Sequence, residues 1–224
     1  MTAPYYTDGL ITLYLGDCME VTEWLGADVL VTDPPYGIGG DISYAQNSPT
    51  WERQEWDSTL DVRDRVLDVW GDRPRAVFGS PRRIDAAPGF REVPLIWDKG
   101  DTTGMGDTRF PWRPTYELIY INGDGWTGFR GESMLRQNHY SHNARNIGHP
   151  TPKPVALMEA IIQKSPAGSI ADPFAGSGAT LIAARNLGRP SIGVELDEQY
   201  AEAAVRRITG APQSLFNLES MEQQ

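Results

Sequence analysis

The feature that most constrains how this chain folds is a strand–loop–helix–strand unit near its C-terminal end. Residues 169–174 are predicted to form a strand, and Ala175-Gly176-Ser177-Gly178 follows it as a glycine loop. Residues 179–187 show a helical pattern, and residues 191–196 match a second strand. A strand, a helix and a strand are also predicted within residues 11–32, and this βαβ unit predicts a parallel sheet.

The rest of the chain repeats this alternation of strands and helices. Strands are predicted at residues 11–15, 29–32, 75–78, 93–97 and 115–121, and helices at 19–25, 61–70, 155–164 and 198–208. A turn of helix is predicted near residues 133–137, and residues 37–57 are expected to form a long loop. A chain of 224 residues with this pattern is expected to form one domain.

A second constraint is the motif Asp33-Pro34-Pro35-Tyr36, which follows the predicted strand at residues 29–32. Ligands of open α/β sheets bind outside the carboxyl ends of the strands, which is where this motif lies. The prolines stiffen the backbone and leave carbonyl groups free to accept hydrogen bonds. A carboxylate, a carbonyl and a flat ring held together suit a planar amino group on a heterocycle. The alternative is a proline-rich turn with a surface tyrosine.

The glycine loop indicates a nucleotide-like ligand. Glu195 ends the second strand of the unit, about 20 residues after Gly176, which is the spacing of an acid that binds ribose hydroxyls. Leu181 stands where the dinucleotide fingerprint has its third glycine, and no G-K-[ST] sequence marks a P-loop. A cofactor with a ribose but no pyrophosphate fits this pattern, and S-adenosylmethionine is such a molecule. The alternative is a tight strand-to-helix turn.

With these motifs, residues 10–208 resemble the amino-group DNA methyltransferases of the permuted β class. Asp33-Pro34-Pro35-Tyr36 matches the catalytic motif of that family, and residues 172–178 resemble its cofactor motif. Glu195 resembles the acid of the family that binds the ribose. Residues 149–154 resemble the motif at the methionine end of the cofactor, and residues 16–18 resemble the segment that contacts the adenine of the cofactor. The catalytic motif precedes the glycine loop here, which is the order that defines the β class.

The resemblance implies an α/β fold of the Rossmann-like S-adenosylmethionine-dependent methyltransferase type. The expected sheet is mixed, mostly parallel and seven-stranded, with helices on both faces and a circularly permuted motif order. Residues 1–210 are expected to form a single catalytic domain, with residues 127–148 as a small target-recognition insert and residues 211–224 as a polar tail.

The implied activity is methyl transfer to the N6 amine of an adenine flipped out of double-stranded DNA, as in restriction–modification. The catalytic residues are then Asp33, Pro34, Pro35 and Tyr36, where Asp33 and the Pro34 carbonyl accept the amine and Tyr36 stacks on the base. Aspartate in the first position resembles the N6-adenine enzymes, whereas serine is commoner in the N4-cytosine enzymes. Alternatives are N4-cytosine methylation, an RNA or protein-amide methyltransferase, and a non-catalytic nucleic-acid-binding module of the same fold.

The resemblance also implies which residues hold S-adenosylmethionine. These are Asp17, Cys18, Asp33, Thr151, Lys153, Asp172, Pro173, Phe174, Gly176, Ser177, Gly178, Thr180, Glu195 and Leu196. Lys153 would add positive charge beside the carboxylate of the cofactor, and its alternative is a solvated surface lysine. Phe174 would form a wall of the cofactor site or part of the core. Cys18 is expected to pack rather than to act as a nucleophile.

Charge bears on the DNA partner. The net charge is −10, yet residues 73–153 contain 12 basic and 8 acidic side chains. Candidate DNA contacts are Arg82, Arg83, Arg109, Arg113, Arg130, Arg136, His139 and Arg145, each with a structural surface role as its alternative. Because the insert at residues 127–148 is small, the target site is expected to be short or relaxed.

Composition limits the remaining assignments. Cys18 is the single cysteine, which suits a reducing compartment, and no apolar run approaches the ~20 residues of a membrane-spanning helix. A cytoplasmic location is therefore expected. His139 and His142 have no neighbouring ligand that would complete a zinc site, so no metal is expected. The resemblance makes a homodimer a candidate assembly.

Overall fold

The computed structural model describes residues 2–37, 59–82, 87–90, 94–100, 111–112, 114–137, 147, 149 and 152–210. The strands are β1 (Tyr6–Thr7), β2 (Ile11–Leu15), β3 (Val29–Thr32), β4 (Arg75–Gly79), β5 (Leu95–Asp98), β6 (Tyr116–Asn122), β7 (Met134–Arg136), β8 (Ile170–Asp172) and β9 (Ser191–Glu195). The α-helices are α1 (Asp61–Trp70), α2 (Val155–Ile162), α3 (Ala179–Asn186) and α4 (Glu198–Gly210), and a 3-10 helix spans Glu23–Gly26.

All nine strands of the described residues belong to one sheet in the order β1-β2-β9-β8-β3-β4-β6-β5-β7. Strands β2, β9, β8, β3 and β4 are parallel, β6 runs antiparallel to β4 and β5, and β1 is antiparallel to β2. The sheet is therefore mixed with a parallel centre, as predicted. The expected count of seven strands was wrong, because short strands β1 and β7 extend the two edges.

The central strands are buried on both faces. In β3, Val29 and Val31 pack with α2 and α3, whereas Leu30 faces the opposite side with α1 and the 3-10 helix. Trp24 of the 3-10 helix stacks on Trp70 of α1, with ring centroids 5.9 Å apart. Because successive side chains of a strand point to opposite faces, this alternation places helices on both faces of the sheet, which confirms the predicted fold class.

Two local predictions were wrong. The helix predicted at residues 19–25 is a turn followed by the 3-10 helix, because the Asp17 carboxylate accepts the Met19 N–H at 2.8 Å and so supports a turn. The helical turn predicted near residues 133–137 is strand β7. There, the Ile96 N–H donates to the Ser133 carbonyl at 2.8 Å, so pairing with β5 decides the conformation.

None of the described helices has the length and apolar character needed to cross a membrane. The long loop expected at residues 37–57 lies outside the described residues from position 38 onward, and so does the polar tail at residues 211–224.

Candidate active site

The two sequence motifs meet at one edge of the sheet. Asp33 follows β3, Asp172 ends β8, and these two strands are parallel neighbours with Val29 opposite Ile170. The Thr32 hydroxyl donates a hydrogen bond of 2.7 Å to Oδ1 of Asp172, although 140 positions separate the two residues. The carboxyl ends of the parallel strands therefore bring the catalytic and cofactor motifs together, as the predicted parallel sheet requires.

A cavity of about 580 Å³ opens at this edge, within the size range of small-molecule sites. Of the residues predicted to catalyse or to hold the cofactor, its walls contain Asp17, Cys18, Asp33, Pro34, Pro35, Tyr36, Lys153, Asp172, Pro173, Phe174, Gly176, Ser177, Thr180, Glu195 and Leu196. Gly178 precedes the first residue of α3, and Thr151 lies outside the described residues. Within the described part of the chain, no cluster of three His, Cys, Asp or Glu side chains is placed to hold a metal ion.

The glycine loop forms a narrow wall of the cavity. Gly176 has φ +50°, and a Cβ atom at this position would lie 3.0 Å from Nε2 of His149. Its N–H donates to the Glu195 carboxylate at 2.7 Å, and the other Glu195 oxygen accepts the Asp197 N–H at 2.9 Å. Burial raises the pKa of Glu195, and these backbone hydrogen bonds oppose the rise. The loop thus stays open and holds the Glu195 carboxylate at the cavity wall.

Arg207 of α4 holds the same loop through hydrogen bonds. The guanidinium of Arg207 donates to the side-chain oxygen of Ser177 at 2.8 Å and to the backbone carbonyl of Lys153 at 3.2 Å. One side chain therefore holds the glycine loop and the segment before α2 together. This role could not be predicted from the sequence, because Arg207 is 30 positions from Ser177 and 54 from Lys153.

Both carboxylate oxygens of Asp33 have partners in the structure. Oδ1 accepts a hydrogen bond of 2.5 Å from the Tyr36 hydroxyl, and Oδ2 accepts one from the Lys153 ammonium. Burial raises the pKa of Asp33, and the charge of Lys153 acts against that rise. Lys153 was predicted to lie beside the cofactor carboxylate, and in this structure its ammonium is paired with Asp33.

A second acid completes the cluster around Asp33. Glu117 of β6 lies with Oε2 at 3.1 Å from the Tyr36 hydroxyl and 3.3 Å from the Lys153 ammonium, and its Oε1 is paired with Lys99. Burial disfavours the charged form of Glu117, but the ammonium groups of Lys153 and Lys99 outweigh it and lower its pKa to about 2. Two carboxylates and two ammonium groups thus form one buried network of zero net charge.

Aromatic rings surround the ammonium group of Lys153. Its Nζ lies 5.6 Å from the ring centroid of Tyr36, 5.3 Å from that of Phe78 and 5.8 Å from that of Trp97. These distances are within the reach of cation–π attraction. The Lys153 side chain is only 6% exposed, so the rings and the two carboxylates take the place of its water.

Two further acidic groups of the cavity are shifted by burial. Burial raises the pKa of Asp172 to about 7, against the opposing effect of hydrogen bonds that include those from Thr32 and from the Phe174 N–H. Burial also raises the pKa of the Cys18 thiol to about 12. A protonated, buried thiol is a poor nucleophile, which agrees with the packing role expected for Cys18.

The candidate DNA contacts are dispersed. Arg82 lines the cavity, Arg130 is exposed, and Arg136 is exposed but paired with Glu132 at 2.6 Å. The other candidates lie outside the described residues, namely Arg83, Arg109, Arg113, His139 and Arg145.

Several residues that the structure places at the site were not predicted as catalytic or cofactor contacts. Lys99, Glu117, His149 and Tyr200 line the cavity. A usable signal existed for Glu117, since a lone acid inside the strongest β run of the chain is rarely buried without a partner. His149 begins the stretch at residues 149–154 that resembles a cofactor motif, and it lies against the ring of Tyr200 with centroids 4.6 Å apart.

The fold and this site define a class of protein, and comparison with known proteins agrees. Residues 63–206 match the family model of N6/N4 methyltransferases, described as DNA methylase. The chain belongs to this family of amino-group DNA methyltransferases, and S-adenosylmethionine is the methyl donor of the family. The expected family, fold class and cofactor are thereby confirmed.

Individual relatives show how far the likeness extends. The type II methyltransferase M2.LlaDCHI of Lactococcus lactis subsp. cremoris is 42% identical over 257 residues, covering 93% of each chain. The structure of M1.HpyAVI, a complex with S-adenosylmethionine, has a TM-score of 0.63 at 25% identity and covers 88% of this chain and 99% of its own. The cytosine-N4-specific PvuII DNA methyltransferase shares the fold, with a TM-score of 0.68 at 17% identity over 97% of this chain and 93% of its own.

Proposed function

We propose that this DNA methyltransferase transfers a methyl group to the N6 amine of an adenine flipped out of double-stranded DNA. The observation that carries the proposal is the placement of Asp33, Pro34 and Tyr36 in one cavity with Gly176 and Glu195. A base inside a duplex cannot reach such a cavity, so the target must leave the stack. Aspartate at the first position of the catalytic motif favours adenine over cytosine.

The cavity fits the cofactor. Gly176 leaves open the space that a Cβ atom would close against His149, and the Glu195 carboxylate retains lone pairs after accepting two N–H groups. We propose that residues 16–18 hold the adenine end of S-adenosylmethionine, Glu195 its ribose, and the loop at residues 175–178 its methionine part. When bound, the cofactor supplies an electrophilic methyl group on sulfonium.

The chain's own groups act on the target amine. An exocyclic amine is a poor nucleophile, because its lone pair is delocalised into the ring. Asp33 and the Pro34 carbonyl accept its two N–H groups, which favours tetrahedral nitrogen and frees the lone pair. Positive charge develops on that nitrogen, and the Asp33 carboxylate stabilises it electrostatically. Tyr36 offers its ring face to the base, and stacking of this kind contributes ~1–3 kcal/mol.

Mass spectrometry of nucleosides tests the proposal. DNA from a host without methyltransferases, after expression of this chain, is expected to contain N6-methyladenine. The Asp33→Ala variant is expected to lose transfer by at least ~100-fold while cofactor binding persists. Asp68→Ala, at an exposed position on α1, is the matched control and should retain full activity. N4-methylcytosine in place of N6-methyladenine would overturn the adenine assignment.

We further propose that residues 1–210 act as one catalytic domain and that residues 127–148 contribute to target recognition. The described part of that insert includes exposed Arg130 and the edge strand β7, which pairs with β5 next to the site. Few residues are available there to read bases, which supports a short or relaxed target sequence.

A further inference from the structure

Both oxygens of Asp33 already accept a hydrogen bond in the arrangement that the structure shows. Its Oδ1 accepts the Tyr36 hydroxyl and its Oδ2 accepts the Lys153 ammonium. Each oxygen keeps a second lone pair, but a target amine would have to share that oxygen and its charge with a buried donor. For Asp33 to hold the amine by an oxygen of its own, one of these donors must give up that oxygen. A buried donor that loses its acceptor without a replacement carries a large penalty, so the displaced donor needs another partner nearby.

Glu117 is such a partner for both donors. Its Oε2 lies 3.1 Å from the Tyr36 hydroxyl and 3.3 Å from the Lys153 ammonium, so neither group has to travel. A phenol has one proton and donates to one acceptor at a time, whereas the hydroxyl of Tyr36 lies within bonding distance of two carboxylates. Rotation of that single O–H from Asp33 to Glu117 would free Oδ1 and leave the proton bonded.

Three features hold Glu117 in this position. Its backbone is paired with Trp97 in the β5–β6 ladder, and its Oε1 is fixed by Lys99. The carboxylate is stabilised in its charged form by Lys153 and Lys99, which keeps the pKa of Glu117 at about 2 and therefore keeps it an acceptor at neutral pH. The aromatic rings around Lys153 restrict that ammonium to the space between the two acids.

We propose that Glu117 is a positioning residue, which takes over the hydrogen bonds of Tyr36 and Lys153 when the target amine occupies Asp33. The inference deepens the proposed function and rests on it. Glu117 touches neither the base nor the cofactor in this scheme. It acts through Tyr36 and Lys153, by making the release of Asp33 inexpensive.

Single-turnover methyl transfer tests this role. The Glu117→Gln variant, with labelled S-adenosylmethionine and unmethylated plasmid DNA, is expected to transfer ~10- to 100-fold more slowly than the wild type. Its dissociation constant for S-adenosylmethionine is expected to stay near the wild-type value. Its thermal midpoint is expected to fall, because the variant leaves Lys99 and Lys153 with one carboxylate fewer. Glu202→Gln, an exposed position on α4, is the matched control and should change none of these quantities.

A second measurement does not depend on activity. The 13Cε resonance of Lys153, followed by NMR as the pH rises, reports when the ammonium loses its proton. In the wild type two carboxylates hold that proton, and Glu117→Gln removes one of them. The titration of Lys153 is therefore expected to move to lower pH in the variant, with the Lys153→Met protein identifying the resonance.

The outcomes separate this inference from the proposed function. Transfer by folded Glu117→Gln at the wild-type rate, or an unchanged Lys153 titration, would overturn the positioning role. A parallel fall in rate and in cofactor affinity would show a structural role only, and so would also overturn it. If Glu117→Gln does not fold, the Glu117→Asp variant takes its place, with a carboxylate one methylene farther from Tyr36 and Lys153. It should also slow methyl transfer without weakening cofactor binding, but by a smaller factor. A wild type that methylates no DNA would instead contradict the proposed function.

Discussion

At the scale of single residues, the site depends on charge held away from water. Asp33, Glu117, Lys99 and Lys153 cancel in net charge, but a buried network of this kind rarely adds stability over apolar residues of the same volume. The position of this charged network beside the cavity therefore fits a role in the reaction better than a role in folding.

Asp172 predicts a pH dependence of stability. Its pKa is about 7 in the folded protein and lower in the unfolded chain, so the native state holds the proton more tightly. The stabilisation from this group is fully present below pH ~4 and is lost as the pH rises towards 7. Asp172→Asn, which still accepts the hydrogen bonds from Thr32 and Phe174, is expected to reduce the decline in unfolding free energy between pH 4 and 7.

Urea unfolding at several pH values checks this expectation, with the exposed Asp68→Asn as the control. Only the difference between Asp172→Asn and the wild type isolates Asp172, because burial also raises the pKa values of Asp33 and Glu195. An Asp172→Asn protein with the same pH profile as the wild type would contradict the assignment.

The residues that sequence could identify were those in contiguous motifs. Asp33 and Tyr36 stand in one tetrapeptide, and Gly176 in one loop, so their residue types and order were informative. Glu117 and Lys99 were not predicted as site residues, because they come from β6 and the end of β5 and join the site only through strand pairing. Lys153 was identified from its motif, but its contact with Asp33 was not, because 120 positions separate the two residues.

At the scale of elements, the glycine loop is the part of the site most sensitive to side-chain volume. Gly176 and Gly188 both have positive φ, at +50° and +68°, so alanine strains either backbone by ~1–2 kcal/mol. A Cβ atom at Gly188 meets open space, whereas one at Gly176 lies 3.0 Å from His149. Both alanine variants are expected to lose similar stability, but only Gly176→Ala is expected to bind S-adenosylmethionine much more weakly.

Calorimetric titration with S-adenosylmethionine, alongside urea unfolding, distinguishes these two effects. Because Gly188→Ala carries the same backbone strain, it shows how much a loss of stability alone lowers the affinity for the cofactor. Any further loss of affinity in Gly176→Ala then comes from the Cβ atom at that position. Equal cofactor affinity in the two variants would show that the space at Gly176 is not needed for the cofactor.

Elements were predictable where local pattern and tertiary packing agreed. Helix α1 and strands β2, β3 and β6 have clear apolar patterns, and the structure forms them within a residue or so of the predicted ends. Strands β1 and β7 have two and three residues and carry too little pattern to detect. They form because β2 and β5 offer free backbone groups at the sheet edges.

At the scale of the whole molecule, the order of the strands in the sheet builds the site, and the insert proposed for target recognition, residues 127–148, is small. The family match spans residues 63–206, and the sheet order places both motifs at one edge. Parallel order could be predicted from the βαβ pattern, but which strands become neighbours could not, because β3 pairs with β8 from a distant part of the chain.

We expect the target sequence in DNA to be short or relaxed. Each base pair that is recognised needs side chains that contact its edge, and residues 127–148 offer few of them. Sequencing of modified bases in host DNA after expression should return a motif of few positions, or several related motifs. A long, strict motif would contradict this expectation and would require further recognition residues. Arg82→Ala should lower DNA affinity without changing the motif if Arg82 contacts phosphate.

The pairing of β3 with β8 has a consequence for how the enzyme is made. Residues 29–32 leave the ribosome well before their neighbour at residues 170–172, since 140 positions separate Thr32 from Asp172. Until then the apolar side chains of Val29, Leu30 and Val31 lack one flank of their sheet, and Asp33 has no glycine loop beside it. The site can therefore form only after β8 and the loop that follows it have been translated, so a nascent chain that ends before them is not expected to methylate DNA.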